Sequence, residues 1–149
     1  MGFYTSIEVS ASGLSAERLA MDTIANNIAN VNTTRTAEGG PFKRQLVVYA
    51  QKLEPTPAAA GATDDNGDPA RSSAGVDVVG IVNDQSPDRL VYDPGHPDAD
   101  ANGYVHMPNV DVVKEMVDMM AASRAYEANV TAIQESRSIG TATLGLLKA

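Results

Sequence analysis

The residues best suited to chemistry lie between positions 98 and 103, where their order matches the start of a calcium-binding loop. The pattern D-x-[DN]-x-[DN]-G, whose alternate side chains offer oxygen to one cation, is reproduced by Asp98, Asp100, Asn102 and Gly103. Position twelve of such a loop requires a glutamate that binds through both oxygens, but here it is Asn109. The spacing therefore favours a plain turn stabilised by Asx side chains and glycine, and we predict no metal or other cofactor.

Two histidines offer a second possible site. His96 and His106 could form a metal or acid–base site with Asp93 or Asp98. No nucleophile lies at a spacing that would complete such a site, and prolines flank His96 closely. A structural or interface role is the favoured interpretation of both histidines.

Three acidic residues could be interpreted as the carboxylates of a glycan hydrolase. Asp64, Asp65 and Asp68 lie in a stretch rich in Pro, Ala, Gly and Ser. That setting lacks the apolar surroundings that raise the pKa of a catalytic acid. A solvated loop is the better interpretation, and the chain is not predicted to be an enzyme.

Composition narrows the possible partners. The chain of 149 residues carries a formal net charge of −8, which disfavours nucleic acid and anionic membranes because both require a basic surface. Cysteine is absent, which excludes disulfides, thiol nucleophiles and Cys-based zinc sites. Hydrophobic residues make up 43%, enough for a core.

The segment 1–20 has no basic region before an apolar run, so we predict no cleaved signal peptide. No apolar run reaches the ~18 residues of a transmembrane helix, and no membrane insertion is predicted. These features predict either a cytoplasmic protein or export by a route that needs no cleaved signal.

The N-terminal zone, about Tyr4 to Val31, has the periodicity of a long helix. Apolar positions alternate at spacings of four and three, interrupted only by a charge at position 18: Ile7, Ala11, Leu14, Arg18, Met21, Ala25 and Ile28. Ile24 and Val31 widen the stripe. Asn and Thr at 30–34 compete for backbone hydrogen bonds and should end the helix.

The C-terminal zone begins after Pro108, with Asn109 or Asp111 as candidate N-caps. Its apolar stripe again alternates at four and three residues and includes Val112, Met116, Met119, Tyr126, Val130 and Ile133. This predicts an amphipathic helix of ~30 residues or more. The Met-rich part is interpreted as a packing seam between molecules, which a promiscuous binding groove would also resemble.

The middle zone, residues 35–107, is predicted to form short strands. β-branched or aromatic runs occur at 42–53, 76–82, 89–92 and 104–107, and residues 55–75 are predicted to be a flexible loop with a turn at Asp65-Asn66-Gly67. The fold class is therefore α+β, with long N- and C-terminal helices pairing as a coiled-coil-like domain around a small β-rich insert. The predicted domains are 1–34 and 108–149 for the terminal helices and 35–107 for the middle domain.

One signature identifies a family. The run Ala-Asn-Asn-Ile-Ala-Asn-Val-Asn-Thr at 25–33 resembles the N-terminal signature of flagellar rod, hook and hook-associated proteins; its signature positions are Asn26, Asn27, Ile28, Ala29, Asn30, Val31, Asn32 and Thr33. The segments 91–105 and 107–129 resemble the proximal-rod members of that family. The resemblance extends over nearly the whole chain except 55–73.

The resemblance implies a structural subunit of the proximal rod, part of the torque-transmitting drive shaft and of the export-channel wall. It implies other rod subunits, further copies of the chain and, in transit, the flagellar type III export apparatus as partners. It implies a location in the basal-body rod that crosses the periplasm. The residues predicted to pack helices or form the assembly interface are Ile7, Leu14, Met21, Ile24, Ile28, Val31, Val112, Met116, Met119, Tyr126, Val130 and Ile133.

Two alternatives remain open at this point. The chain could be a soluble helical adaptor, or another axial protein of the rod or hook type. The asparagines at 26, 27, 30 and 32 could mark a frayed helix end, or hydrogen bonds between subunits near the domain junction.

Overall fold

The computed structural model describes residues 3–37, 39–55 and 71–146. Its elements in chain order are helix α1 (Phe3–Ala29), strands β1 (Gln45–Pro55), β2 (Arg71–Asn83), β3 (Arg89–Tyr92) and β4 (Tyr104–Met107), and helix α2 (Val112–Leu146). The predicted α+β class, with two long helices flanking short strands, is confirmed. No helix in the described residues is both long and apolar enough to cross a membrane.

The strands form two separate two-stranded sheets, β1–β2 and β3–β4. β3 and β4 are antiparallel, with Arg89 opposite Met107 and Tyr92 opposite Tyr104. The rings of Tyr92 and Tyr104 meet edge to face with their centroids 5.3 Å apart. Both short strands coincide with the predicted runs because β-branched and aromatic residues favour a pleated surface.

The predicted loop at 55–75 is too long. Pro55 is the last residue of β1, and residues 71–75 form the first part of β2. Just after this part of β2, the N–H of Val76 donates to Ser12 Oγ of α1 at 3.1 Å. Residues 56–70, with the predicted turn at 65–67 and the carboxylates of Asp64, Asp65 and Asp68, lie outside the described residues.

The chain divides into two compact units. Unit 1 takes its described residues from Met1–Arg18, Tyr49–Val79 and Arg124–Ala149, and unit 2 from Leu19–Val48 and Gly80–Ser123. Each unit therefore contains part of both helices and part of the β1–β2 pair. The boundaries 1–34, 35–107 and 108–149 remain a prediction.

Besides Pro108, the buried apolar residues of the described chain are few and mostly small. Ala16 and Ala74 are buried in unit 1, and unit 2 buries Ala20, Val105, Val110 and Ala122. The large apolar side chains of both helices lie at the margin of this core.

Helix α2 begins with the predicted cap at Asp111. Its carboxylate accepts hydrogen bonds from the N–H groups of Val113 at 2.9 Å and Lys114 at 3.4 Å. These bonds satisfy two of the donors that a helix leaves unpaired at its first turn.

Replacing Asp111 by alanine is expected to lower the free energy of unfolding by about 1 kcal/mol, because both cap hydrogen bonds are lost. Urea denaturation followed by circular dichroism measures the change. The control is Ser138→Ala, an exposed substitution in the interior of α2. Equal stability of the Asp111→Ala variant and the wild-type chain would contradict the cap assignment.

Candidate functional site

The end of α1 is attached to the start of β1 through Asn27, a residue of the predicted signature. Its Nδ2 donates to the carbonyl oxygen of Gln45 at 2.9 Å, and its Oδ1 accepts from the N–H of Gln45 at 2.9 Å. A side-chain amide thus satisfies both backbone groups of one residue, as a neighbouring strand would. Asn27 is only 1% exposed.

The same Nδ2 also donates to Glu115 Oε2 on α2, at 2.9 Å. Glu115 is completely buried, and its other oxygen accepts from Arg44 Nε at 2.5 Å. We refer to these three side chains as the Asn27–Arg44–Glu115 cluster. All its members lie in unit 2, and they join α1, the residue preceding β1, and α2.

Arg44 makes further contacts, including a hydrogen bond from the N–H of Asp84 to its carbonyl oxygen at 2.7 Å. Its Nη2 donates to Asp118 Oδ2 at 3.2 Å, and its Nη1 lies 3.9 Å from Asp84 Oδ2. Its backbone N–H donates to Asn109 Oδ1 at 2.8 Å. Hydrogen bonds from the hydroxyl and N–H of Ser86 lower the pKa of Asp84, which favours the carboxylate form near the guanidinium.

Every buried polar side-chain atom in this cluster has a hydrogen-bond partner. Among the described residues, no buried side-chain nitrogen or oxygen lacks a hydrogen bond. A buried carboxylate is tolerated only when its cation and hydrogen bonds are in place, so the cluster acts as a unit. Glu115 and Asn27 are closed to solvent, and the side chain of Arg44 is 11% exposed.

Three of the signature asparagines, Asn26, Asn27 and Asn30, form side-chain hydrogen bonds within the chain. Asn26 Nδ2 donates to Gln45 Oε1 at 3.1 Å, and Asn30 Nδ2 donates to the carbonyl oxygen of Asn26 at 2.9 Å. Thr33 Oγ1 donates to Asn30 Oδ1 at 3.1 Å. Residues 26–29 are helical, and residues 30–32 form a hydrogen-bonded turn.

The predicted interface residues keep accessible surface. Ten of the twelve are half-buried, and two on α2 are exposed, Val112 at 37% and Met116 at 55%. None of the twelve is fully buried. The stripes found by periodicity therefore border the core of the chain and do not form its centre.

The positions that α1 and α2 bury completely are a different set, which the periodicity of large apolar residues missed. On α1 they follow a spacing of four, three and four: Ala16, Ala20, Thr23 and Asn27; on α2 they are Glu115 and Ala122. Thr23 satisfies its hydroxyl by donating to the carbonyl oxygen of Leu19 at 2.8 Å. Small residues at helical spacing are the signal that could have identified this face.

A second feature of α2 is an exposed apolar face over its first two turns. It consists of Val113, Met116, Val117 and Met120, which are 53–72% exposed. Their spacing places them on the side of the helix opposite Glu115. Four exposed large apolar residues within eight positions are typical of an interaction surface.

The candidate calcium loop is a hydrogen-bonded turn. Asp100 Oδ1 accepts from the N–H groups of Asn102 at 2.8 Å and Tyr104 at 2.9 Å, and Gly103 has a positive φ of 82°. These bonds, the one from Tyr104 foremost, lower the pKa of Asp100. Asp98 is used elsewhere, because its Oδ2 accepts from Thr34 Oγ1 at 2.8 Å.

The two histidines lie in separate contacts. His96 Nδ1 accepts from the N–H of Asp98 at 3.1 Å, inside a loop. His106 Nδ1 lies 3.7 Å from Asp88, whose other oxygen pairs with Lys43. The described residues contain no group of three His, Cys, Asp or Glu side chains able to hold a metal ion.

Comparison with known proteins places this arrangement in a class. Residues 7–35 match the family model "Flagella basal body rod protein", and residues 101–146 match "Flagellar basal body rod FlgEFG protein C-terminal". The first segment contains Asn27 and the second contains Glu115, so the two segments meet in the buried cluster.

Curated relatives cover nearly the full chain. The flagellar basal-body rod protein FlgC of Borreliella burgdorferi is 47% identical, with 99% of each chain covered. FlgC of Bacillus subtilis is 41% identical over 93% of this chain and 94% of that protein. FlgC of Salmonella typhimurium is 36% identical, with 98% of each chain covered.

These matches define the class as the flagellar basal-body rod proteins, the structural subunits of the rod. Within that class, the chain belongs to the FlgC family. The family predicted from the signature at 25–33 is thereby confirmed.

Proposed function

We propose that the chain is a subunit of the proximal rod, where it forms part of the torque-transmitting drive shaft and of the wall of the export channel. Flagellum assembly and motility then depend on it. The family supports the rod assignment. The exposed apolar surface of the helices supports assembly with neighbouring molecules that cover it.

The observation that carries this proposal is the contrast between the two sets of helix positions. Small or hydrogen-bonded residues fill the buried face, whereas the larger apolar residues of the stripes remain partly accessible. Covering a large apolar side chain contributes roughly 1.5–3 kcal/mol. Other rod subunits and further copies of the chain are the proposed source of that cover.

In this proposal the twelve stripe residues and the exposed apolar face of α2 are assembly contacts. The helices at 1–34 and 108–149 form the axial domain, and 35–107 forms the middle domain. The subunit passes through the flagellar type III export apparatus and then joins the rod in the periplasm. A catalytic role is not proposed, because the buried carboxylate of Glu115 and the buried amide of Asn27 are committed to hydrogen bonds with each other, with Arg44 and with Gln45.

Replacing Val117 by glutamate tests the interface. Val117 is 54% exposed, so the free energy of unfolding should change by no more than about 0.5 kcal/mol. A charge there would be buried without a partner in the rod, so incorporation into basal bodies and swimming motility should be lost. Urea denaturation, immunoblots of purified basal bodies and motility assays measure these effects.

The control is Thr131→Glu, an exposed substitution further along α2 and away from the apolar face. It should leave both incorporation and swimming intact. Normal incorporation of the Val117→Glu variant would contradict the interface. Recovery of the wild-type chain only from the soluble fraction would favour the helical adaptor.

A further inference from the structure

We infer that the hydrogen bond between Asn27 and Glu115 sets the register of α1 against α2, and that this is why both buried positions are polar. The inference concerns pairing within one chain and does not depend on the rod assignment. Two contacts between α1 and α2 support it.

Each unit contains one close approach between the helices. In unit 2, Asn27 Nδ2 donates to Glu115 Oε2 at 2.9 Å. In unit 1, a Cβ added to Gly13 would lie 2.9 Å from Asn129 Nδ2. Gly13 is two heptads before Asn27, and Asn129 is two heptads after Glu115, so both contacts follow the same antiparallel pairing rule.

Halfway between these two contacts, the same pairing rule places two alanines opposite each other. One heptad from the hydrogen bond, the rule places Ala20 opposite Ala122, and both are buried, at 8% and 7% exposed. Packing at these two positions distinguishes the registers only weakly. Alanine opposite alanine leaves little shape to fix the pairing, and the slip that places Ala20 opposite Asn129 requires only that the end of the Asn129 side chain moves aside.

The polar layer does not tolerate the same slip. Moving α2 by one heptad would place Asn27 opposite Ala122 and remove its bond to Glu115, which is completely buried. A buried polar group without its partner is costly, and a single polar layer is a known means of fixing helix register. Gln45 strengthens the preference for the observed register over the slipped one, since both its backbone groups hold Asn27 in one orientation.

The absence of cysteine allows a direct test by disulfide trapping in the full chain. One variant carries Ala20→Cys with Ala122→Cys, which reports the observed register. A second carries Ala20→Cys with Asn129→Cys, which reports a slip of one heptad. With the polar layer intact, the first pair should oxidise at least about tenfold more than the second, since an unsatisfied buried group disfavours the slipped register by that factor or more.

The same pairs are then measured after Asn27→Leu with Glu115→Leu, and after Asn27→Ala, which leaves the Arg44–Glu115 contact in place. We expect helical content to be retained in these backgrounds. In at least one of them, oxidation of the first cysteine pair should exceed that of the second by no more than about threefold, because packing alone discriminates weakly between the two registers. The matched control, Asn26→Leu with Glu127→Leu, changes the same residue types at exposed positions and should keep the full preference.

An unchanged preference in both backgrounds would overturn the inference. Loss of helix by circular dichroism in the Asn27→Ala background would also overturn it, because the residue would then be needed for folding and not for register.

Discussion

Replacing Arg44 by methionine is expected to lower the free energy of unfolding by roughly 3–5 kcal/mol, since the buried carboxylate of Glu115 loses its cation. Glu115 is completely buried and cannot turn to solvent without leaving its bond to Asn27. This loss approaches the whole stability of a small domain, so a large unfolded fraction is expected. Urea denaturation followed by circular dichroism provides the measurement.

The control for this prediction is Arg137→Met, at an exposed position on α2. It should change stability by no more than about 0.5 kcal/mol. The double variant Arg44→Met with Glu115→Met should recover part of the loss, because an apolar pair can replace a buried ion pair. A single Arg44→Met variant as stable as wild type would show that the cluster does not hold unit 2 together.

The second large effect is expected at Gly75, where β2 passes close to α1 within unit 1. Gly75 has a φ of 126°, and an added Cβ would lie 2.3 Å from Ser12 Oγ. Gly75→Ala should therefore lower the free energy of unfolding by roughly 2–5 kcal/mol, through backbone strain and a contact that forces the helix or strand to move. Thermal and urea denaturation measure the loss.

The matched control is Gly80→Ala in the same strand, where a Cβ would meet nothing within 4 Å. Adding Ser12→Ala to Gly75→Ala should restore part of the stability by removing the hydroxyl from the contact. A Gly75→Ala variant that unfolds at the same urea concentration as wild type would contradict the close packing of α1 and β2.

The elements of the fold could be predicted because their signals are local. The four-and-three spacing gave both helices, and Asp111 was one of the two candidate caps of α2. β3 and β4 coincide with the predicted residues since each is a short apolar run between turn residues. The start of β2 was missed because Arg71–Gly75 has the composition of a loop, and its strand conformation depends on its surroundings.

The buried cluster could not be predicted because its members are far apart in sequence. Asn27, Arg44 and Glu115 are polar, so each one by itself is expected on the surface. Only the tertiary structure brings them together, and Asn27 could be recognised beforehand only as part of a signature, without its partners. The stripe of large apolar residues was predicted to be the seam because the periodicity was followed through large side chains. Small residues instead occupy the buried face of α1.

The most direct test of the rod assignment is to purify hook–basal bodies from the source bacterium with and without this gene, and to compare them by mass spectrometry and electron microscopy. The account predicts that the chain is present in isolated wild-type rods, and that its loss leaves rings without a rod in non-motile cells. Complete rods in the deletion strain, with the chain recovered only from the soluble fraction of wild-type cells, would contradict it.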